Sequence, residues 1–306
     1  MAHHTAVAAP RSKRTPLSGR ARALRAVVLG AAMALLLQGC STVKLAYNQA
    51  PQLMAWQINR YLGLSDAQSE RVRDELDDLH QWHRDTMLPQ HAQVLQKVQR
   101  QLADDVTAQQ ACSTYADIRT QLDQVVSQAE PKMLWLASQL TDSQIRQLER
   151  KQADSNADWR KEWLDPTPEK LREHRFKELL SRAEGFYGRL DEPQKAALRA
   201  FIAQSSFDPQ RTYNERLRRQ KDLVQVLQTV ARDRQNTAQT KTLVREYLAR
   251  FDQSPDPAYR SYAQMLVTEG CAGFAQVHNA TTPAQRVKAV ASAKSYEQDF
   301  MTLAAQ

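Results

Sequence analysis

Apolar residues return at alternating steps of three and four along most of this chain. Between Asp66 and Met87 they fall at Val72, Leu76, Leu79, His83 and Met87, a seam that faces a partner helix. The rhythm resumes at His91, Leu95, Val98 and Leu102. From Ala108 it runs through Ala111, Tyr115, Ile118, Leu122, Val125 and Ala129. Pro89 is expected to kink or break the first rod, because a proline pushes the preceding residue, Leu88, out of the α region. Pro131 is expected to interrupt the second. A stretch from Asp142 is less regular: Ile145 and Leu148 precede polar Gln152 and Asn156, then Trp159 and Trp163 follow. Phe176, Leu179, Ala183 and Phe186 line one side of a helix from Pro168 to about Tyr187. Further helices are expected at roughly 192–204, 209–233, 238–252, 257–277 and 283–305. Short connections between them (Asp208-Pro209, Asp256-Pro257, Thr282-Pro283) make neighbours pack antiparallel, up and down.

A short phrase marks several helix starts. Leu64-Ser65-Asp66-Ala67-Gln68 returns as Leu140-Thr141-Asp142-Ser143-Gln144, and more loosely as Leu190-Asp191-Glu192-Pro193-Gln194 and Thr281-Thr282-Pro283-Ala284-Gln285. In each, Ser65, Thr141, Asp191 or Thr282 stands three residues before Gln68, Gln144, Gln194 or Gln285. That is the capping-box spacing, in which the first side chain accepts from the third helical N–H and the glutamine reaches back to the cap. Pro193 and Pro283 fall in the first turn, where a missing N–H costs nothing. Thr107-Ala108-Gln109-Gln110 is a fifth candidate. A short helix after Pro51, with Leu53, Trp56 and Tyr61 apolar, ends at Gly63.

The N-terminus is different. Six Lys/Arg and no Asp or Glu occupy the first 25 residues, followed by an uncharged apolar run from Ala26 to Leu37. As a helix that run spans roughly 18 Å, short of the roughly 30 Å of a bilayer core. It fits the apolar region of a signal peptide behind a basic segment. The run ends in Leu37-Gln38-Gly39-Cys40, which resembles the lipobox of bacterial lipoproteins. The resemblance implies a diacylglyceryl thioether on Cys40, cleavage before it and acylation of the new amino terminus. Two or three chains, each CH₂ contributing about 0.8 kcal/mol, anchor stably. Ser41 follows Cys40; by analogy with lipoprotein sorting, a residue other than Asp there favours the outer membrane. The alternative is an uncleaved anchor with Cys40 a bystander. The expected organisation is therefore a signal peptide over 1–39, a lipid-anchored tether over 40–50, and helical regions over 51–165 and 166–306, parted at Asp165-Pro166-Thr167-Pro168.

Maturation changes the charge. The chain carries +8, but removing the six cations ahead of Cys40 leaves 36 Lys/Arg against 34 Asp/Glu, a balance of +2. A basic excess that vanishes in this way argues against nucleic acid as a partner. Only five glycines (Gly63, Gly185, Gly188, Gly270, Gly273) remain beyond Cys40, far below the usual 7% or so. Together with scarce β-branched runs, this points to an all-α mature chain of long antiparallel helices. In an oxidising compartment Cys112 and Cys271 can form one disulfide, closing a loop of about 160 residues; two buried free thiols are the other reading.

Few residues suggest chemistry. His80 and His83 share a helical face, as a metal site needs, and His91 or His174 would be a third ligand. Against this, His83 reads as a seam residue and His80 as solvated, and no cofactor is expected. No Ser/His/Asp arrangement or phosphate loop is visible. The acidic pairs Asp77-Asp78 and Asp104-Asp105 read as helix surface. The basic cluster Arg211–Lys221, flanked by Glu215 and Asp222, reads as a solvated face, and Trp159 with Trp163 as core.

Several pieces together resemble an uncharacterised family of helical lipoproteins of Gram-negative bacteria. They are Leu45-Ala46-Tyr47-Asn48, Leu64 with Gln68, Trp82-His83-Arg84 with Leu88-Pro89, and Cys271 and His278 ahead of Thr282-Pro283, Gln285 and Arg286. That resemblance implies a fold and an address but no activity. The repeated capping phrase is also similar to the LTxxQ motif of the Spy and CpxP periplasmic proteins, which are helical, dimeric and linked to chaperoning and envelope stress. The expectation is a non-enzymatic binding or scaffolding lipoprotein, held to membrane lipid through Cys40 and facing the periplasm toward an envelope protein. A chaperone-like or stress protein is the alternative.

Overall fold

The structure, a computed structural model, describes residues 42–306. Cys40, the apolar run before it and the cleavage position lie outside the described residues. Within them the chain is helical throughout, with no strand. The helices are α1 (Thr42–Asn48), α2 (Ala50–Leu62), α3 (Asp66–Trp82), α4 (Leu88–Leu102), α5 (Ala108–Gln139), α6 (Asp142–Trp163), α7 (Pro168–Tyr187), α8 (Glu192–Gln204), α9 (Pro209–Arg232), α10 (Thr237–Asp252), α11 (Pro257–Asn279) and α12 (Pro283–Ala304). A π-helical turn, His83–Met87, joins α3 to α4.

Capping residues set most boundaries. Ser65, Thr107, Thr141, Asp191 and Thr282 each form a full capping box with the glutamine three residues on. Thr167, Asp208, Asn236 and Asp256 cap α7, α9, α10 and α11. Each such cap contributes about 1 kcal/mol. Gly63 ends α2 at φ 61°, donating its N–H to Asn59 O at 2.7 Å; a side chain there would be strained and would meet the Gln147 amide.

Two expectations fail. Leu88 stays in the α region (φ −59°, ψ −41°) and the rod does not break at Pro89. The π turn is the reason: Leu88 N–H bonds His83 O, five residues back. The widened turn makes room for the proline ring ahead of it. Pro131 does not interrupt α5, which continues to Gln139. An internal proline costs a helix roughly 3 kcal/mol, and here α5 packs against α3, α4, α9, α10 and α11, which offsets it. Residues 42–48, within the tether expected over 40–50, form a helix packed on α12.

The core is strung out in clusters. Leu62, Leu140, Ile145, Leu148, Leu227 and Val230 join α2, α6 and α9 around the end of α5. Phe176, Leu198, Ile202 and Val277 join α7, α8 and α11. Leu102, Tyr187, Leu190, Ala289 and Ala293 hold α4 and α7 on α12. Helices on either side of Asp165-Pro166 interlock: α12 runs along α4, and α11 along α5. Cys112 on α5 and Cys271 on α11 are bonded, with Cα atoms 5.3 Å apart across 159 residues of sequence.

Candidate functional site

The seam read along α5 is only half covered. Ala129 is buried, but Tyr115, Ile118 and Leu122 are 43%, 52% and 47% exposed. Tyr115 and Ile118 line an open groove of about 480 Å³ between α4, α5 and α11, with Leu102, Leu266 and Cys271 lining it as well and Phe274 on its α11 side. Gly270 also borders it, and an added Cβ there would touch nothing within 4 Å. A second apolar cavity, about 350 Å³, lies between α2, α5, α6, α9 and α10, against Ile58, Leu136, Leu227 and Tyr247.

Two polar clusters frame this region, one at each end of the α4–α12 pair. At the start of α4, the π turn aims Arg84 into the protein, where it is buried. Its guanidinium donates to Leu303 O (3.0 Å) and Gln306 Oε1 (3.0 Å) at the end of α12, and to Asn48 Oδ1 (2.8 Å) at the end of α1. A cation thus joins the Gln306 N–H at a carbonyl of the last turn of α12, where the helix dipole favours positive charge. The ring of Tyr47 lies beneath that guanidinium, 5.3 Å away. Pro51, having no N–H, cannot bond Tyr47 O four residues back, so that carbonyl is open to another donor. His80 Nε2 takes it at 3.1 Å. His80 is therefore half-buried and engaged, where the sequence pattern suggested a solvated ring.

His83 and His91 complete the cluster. His91 Nδ1 lies 2.6 Å from Gln121 Oε1, an acceptor, so that nitrogen carries the proton. His91 Nε2 lies 3.3 Å from His83 Nε2, and His83 Nδ1 lies 3.0 Å from the Tyr47 hydroxyl. Burial, with His91 and His80 adding to it, pushes the His83 imidazole down to about 4. Burial likewise lowers His80 and raises the Tyr47 phenol to about 12. The suggested ligand set does not assemble: His80 Nε2 is committed to a carbonyl, and His174 sits beside Glu162 (3.3 Å) and Trp163. Among the described residues no group of three or more His, Cys, Asp or Glu converges on a metal position.

At the other end of the pair, His278 is fully buried. Its Nδ1 meets the Tyr187 hydroxyl at 3.0 Å and its Nε2 the Asp104 carbonyl at 2.8 Å. Burial lowers this imidazole too and raises Tyr187 to about 12. Asn279 grips Val106 through both its N–H (2.8 Å) and its carbonyl (3.1 Å), and Arg286 pairs with Asp105 at 2.5 Å. Asp104 and Asp105, read as plain surface, form the loop that this clasp holds.

The capping glutamines do more than the sequence pattern indicated. Gln144 Nε2 donates to Gln68 Oε1 (2.6 Å) and to Gly63 O (3.1 Å), while Gln68 Nε2 reaches Gln139 O (2.9 Å). The second pair repeats the pattern. Gln194 Nε2 donates to Gln285 Oε1 (2.7 Å) and Ala280 O (3.0 Å), and Gln285 Nε2 to Arg189 O (3.0 Å). Each amide bonds a carbonyl just before its partner's helix. The shared phrase was the available signal; which phrase pairs with which lies only in the tertiary structure.

The basic stretch Arg211–Lys221 is also not a plain solvated face. Glu215 is buried and accepts from Arg218 (2.8 Å), Arg219 (2.9 Å) and Ser254 (3.1 Å). Arg218 and Arg219 hold its carboxyl below the usual carboxylate range against the pull of burial. Trp159 and Trp163 are half-buried and stack on Tyr213 and against Phe207. These groups knit helices together and leave no nucleophile paired with a base.

A model of a family of unknown function, DUF6279, matches residues 60–260. The chain belongs to DUF6279. The match takes in His80, His83, Cys112, Gln68, Gln144 and Gln194, but not Tyr47, Cys271, His278 or Gln285. Hence the contacts that close both clasps, one glutamine pair and the disulfide each draw a partner from outside the DUF6279 match. No match was found among curated proteins or among solved structures.

Proposed function

We propose that this DUF6279 chain is a cell-envelope lipoprotein, anchored through acylated Cys40 to the outer membrane, whose periplasmic helical body binds another envelope protein and catalyses no reaction. The observation that carries the binding role is the open seam: Tyr115, Ile118 and Leu122 stand exposed along α5 beside an apolar groove. Large apolar side chains aligned beside a concavity are the usual core of a protein contact. The polar clusters support the same reading, since their imidazoles are bonded to structural partners. The anchor rests on the basic, apolar and Leu37-Gln38-Gly39-Cys40 sequence. Among the described residues, no helix is long and apolar enough to cross a membrane.

A photo-crosslinking residue at position 118, expressed in cells, tests the binding role. The expected result is a discrete adduct with one envelope protein, lost when Tyr115 and Leu122 are both changed to Ser. An adduct pattern no different from that at exposed Glu149 would end the proposal. Palmitate labelling that survives Cys40→Ala would separately end the anchor.

The chaperone-like alternative is favoured by the same groove with the LTxxQ-like glutamine pairs. It requires the chain with Cys40→Ser to suppress aggregation of an unfolded client at near-equimolar ratio, and Ile118→Asp to abolish that suppression. Unchanged client aggregation would leave scaffolding as the reading.

A further inference from the structure

The outward face of α1 and α2 carries large, exposed apolar side chains. Leu45, Leu53 and Trp56 are 62%, 59% and 60% exposed. The two helices are almost one. Gln49, between them, keeps a right-handed helical backbone, and both Gln49 N–H to Leu45 O and Leu53 N–H to Gln49 O are 3.1 Å. Across such a join, steps of eight and three residues return to nearly the same side of the helix. Leu45, Leu53 and Trp56 therefore form one stripe. The opposite side of α2 is buried through Pro51 and Leu62.

From these facts we infer that this stripe lies in the headgroup–acyl boundary of the bilayer, a second contact beside the lipid on Cys40. The position of Cys40 points to the occupant. Cys40 stands two residues ahead of α1, and two residues reach at most about 7 Å. A lipid on Cys40 therefore forces α1 to within about one helix diameter of the membrane surface. The side chains suit that place: leucine enters the acyl boundary, and tryptophan prefers it. Charge agrees. Thr42 to Ser65 contains no Asp or Glu, and the Arg60 guanidinium lies 5.5 Å from the Trp56 ring, within reach of anionic headgroups.

The inner side of α1 fixes the body's attitude. Lys44 pairs with Asp299 at 3.5 Å, Tyr47 bonds His83, and Asn48 accepts from Arg84. The protein therefore stands on the membrane in one orientation and does not swing on a flexible leash.

This inference rests on the lipoprotein reading, and the experiment separates the two. The full lipidated chain is reconstituted in phosphatidylethanolamine–phosphatidylglycerol vesicles whose acyl chains carry bromine, a tryptophan quencher. Emission is compared for the parent, Trp56→Phe, Leu53→Asp and, as a control, Trp163→Phe. The parent and Trp163→Phe should be quenched relative to unbrominated vesicles; Trp56→Phe should lose most of that quenching, and Leu53→Asp should reduce it. Equal quenching in parent and Trp56→Phe, with Cys40 shown by intact mass to be lipidated, would overturn the membrane contact and leave the anchor standing. An intact mass showing Cys40 unmodified would overturn both. Circular dichroism of each variant guards against unfolding, which neither exposed substitution should cause.

Discussion

The seam between α4 and α12 closes, whereas the seam between α5 and α11 stays open, although the two are built from similar rhythms. At the closed seam Ala289 and Ala293 are fully buried, and their small side chains let the helix axes approach. Its two ends are clasped, by Arg84 with the Tyr47–His83 pair at one and by Asn279 and Arg286 with the Tyr187–His278 pair at the other. The open seam sets large Tyr115 and Ile118 against a stretch of α11 that offers Gly270, and a disulfide holds it. A regular apolar period states that a helix has a sticky face. The size of the facing residues and the presence of polar end-clasps decide whether that face is filled from within or left for a partner.

Breaking the link at the open seam should have the largest effect. Cys271→Ser releases a loop of about 160 residues, and the chain-entropy relation puts the loss near 5 kcal/mol. Denaturant titration of the oxidised parent and the variant measures it; a shift below about 1 kcal/mol would mean that the unfolded chain is not constrained as supposed. Overfilling the closed seam comes next. Ala293→Leu should cost about 2 kcal/mol, since nothing there can move aside, and a midpoint equal to the parent's would show slack in that interface.

At the same seam's end, Gln194→Ala removes the reciprocal cap bond together with the reach to Ala280 O and Gln285, for about 1–2 kcal/mol. Paired with Gln285→Ala in a double-mutant cycle it should be non-additive by about 0.5 kcal/mol or more. Strict additivity would deny the coupling.

Acid should weaken the clasp at His83. Its folded pKa, about 4, lies below the unfolded value of 6.5. The unfolded chain therefore binds more protons through that interval. The contribution is fully present above pH 6.5 and is lost as pH falls toward 4, on the order of 1 kcal/mol once partial exposure is allowed for. His83→Gln should flatten that part of the stability–pH curve, and an identical slope in the variant would rule the group out. The smallest effect sharpens the comparison from the other side. Gly270→Ala, with open space at its Cβ, should stabilise α11 by roughly 0.5–1 kcal/mol; destabilisation would mean that the groove is tighter than it stands here.

Local signals told much of this fold. Ser65, Thr107, Thr141, Asp191 and Thr282 start helices because capping is settled within four residues. The site was less legible. His91 joins His83 through a rotation set by the π turn, and His278 meets Tyr187 across 91 residues. No period in the sequence encodes either meeting. The two prolines misled for a related reason: a local penalty of a few kcal/mol was read without the packing that outweighs it.

Most of the rods were legible along the chain, in where they begin and end and which side of each is apolar, though not α1. Those features come from hydrogen bonds and side-chain spacing within a turn or two. Long-range packing settled which glutamines join, which carbonyl His80 bonds, and that Tyr115, Ile118 and Leu122 keep their face bare. Such outcomes depend on the sizes and orientations of groups brought together from distant parts of the chain.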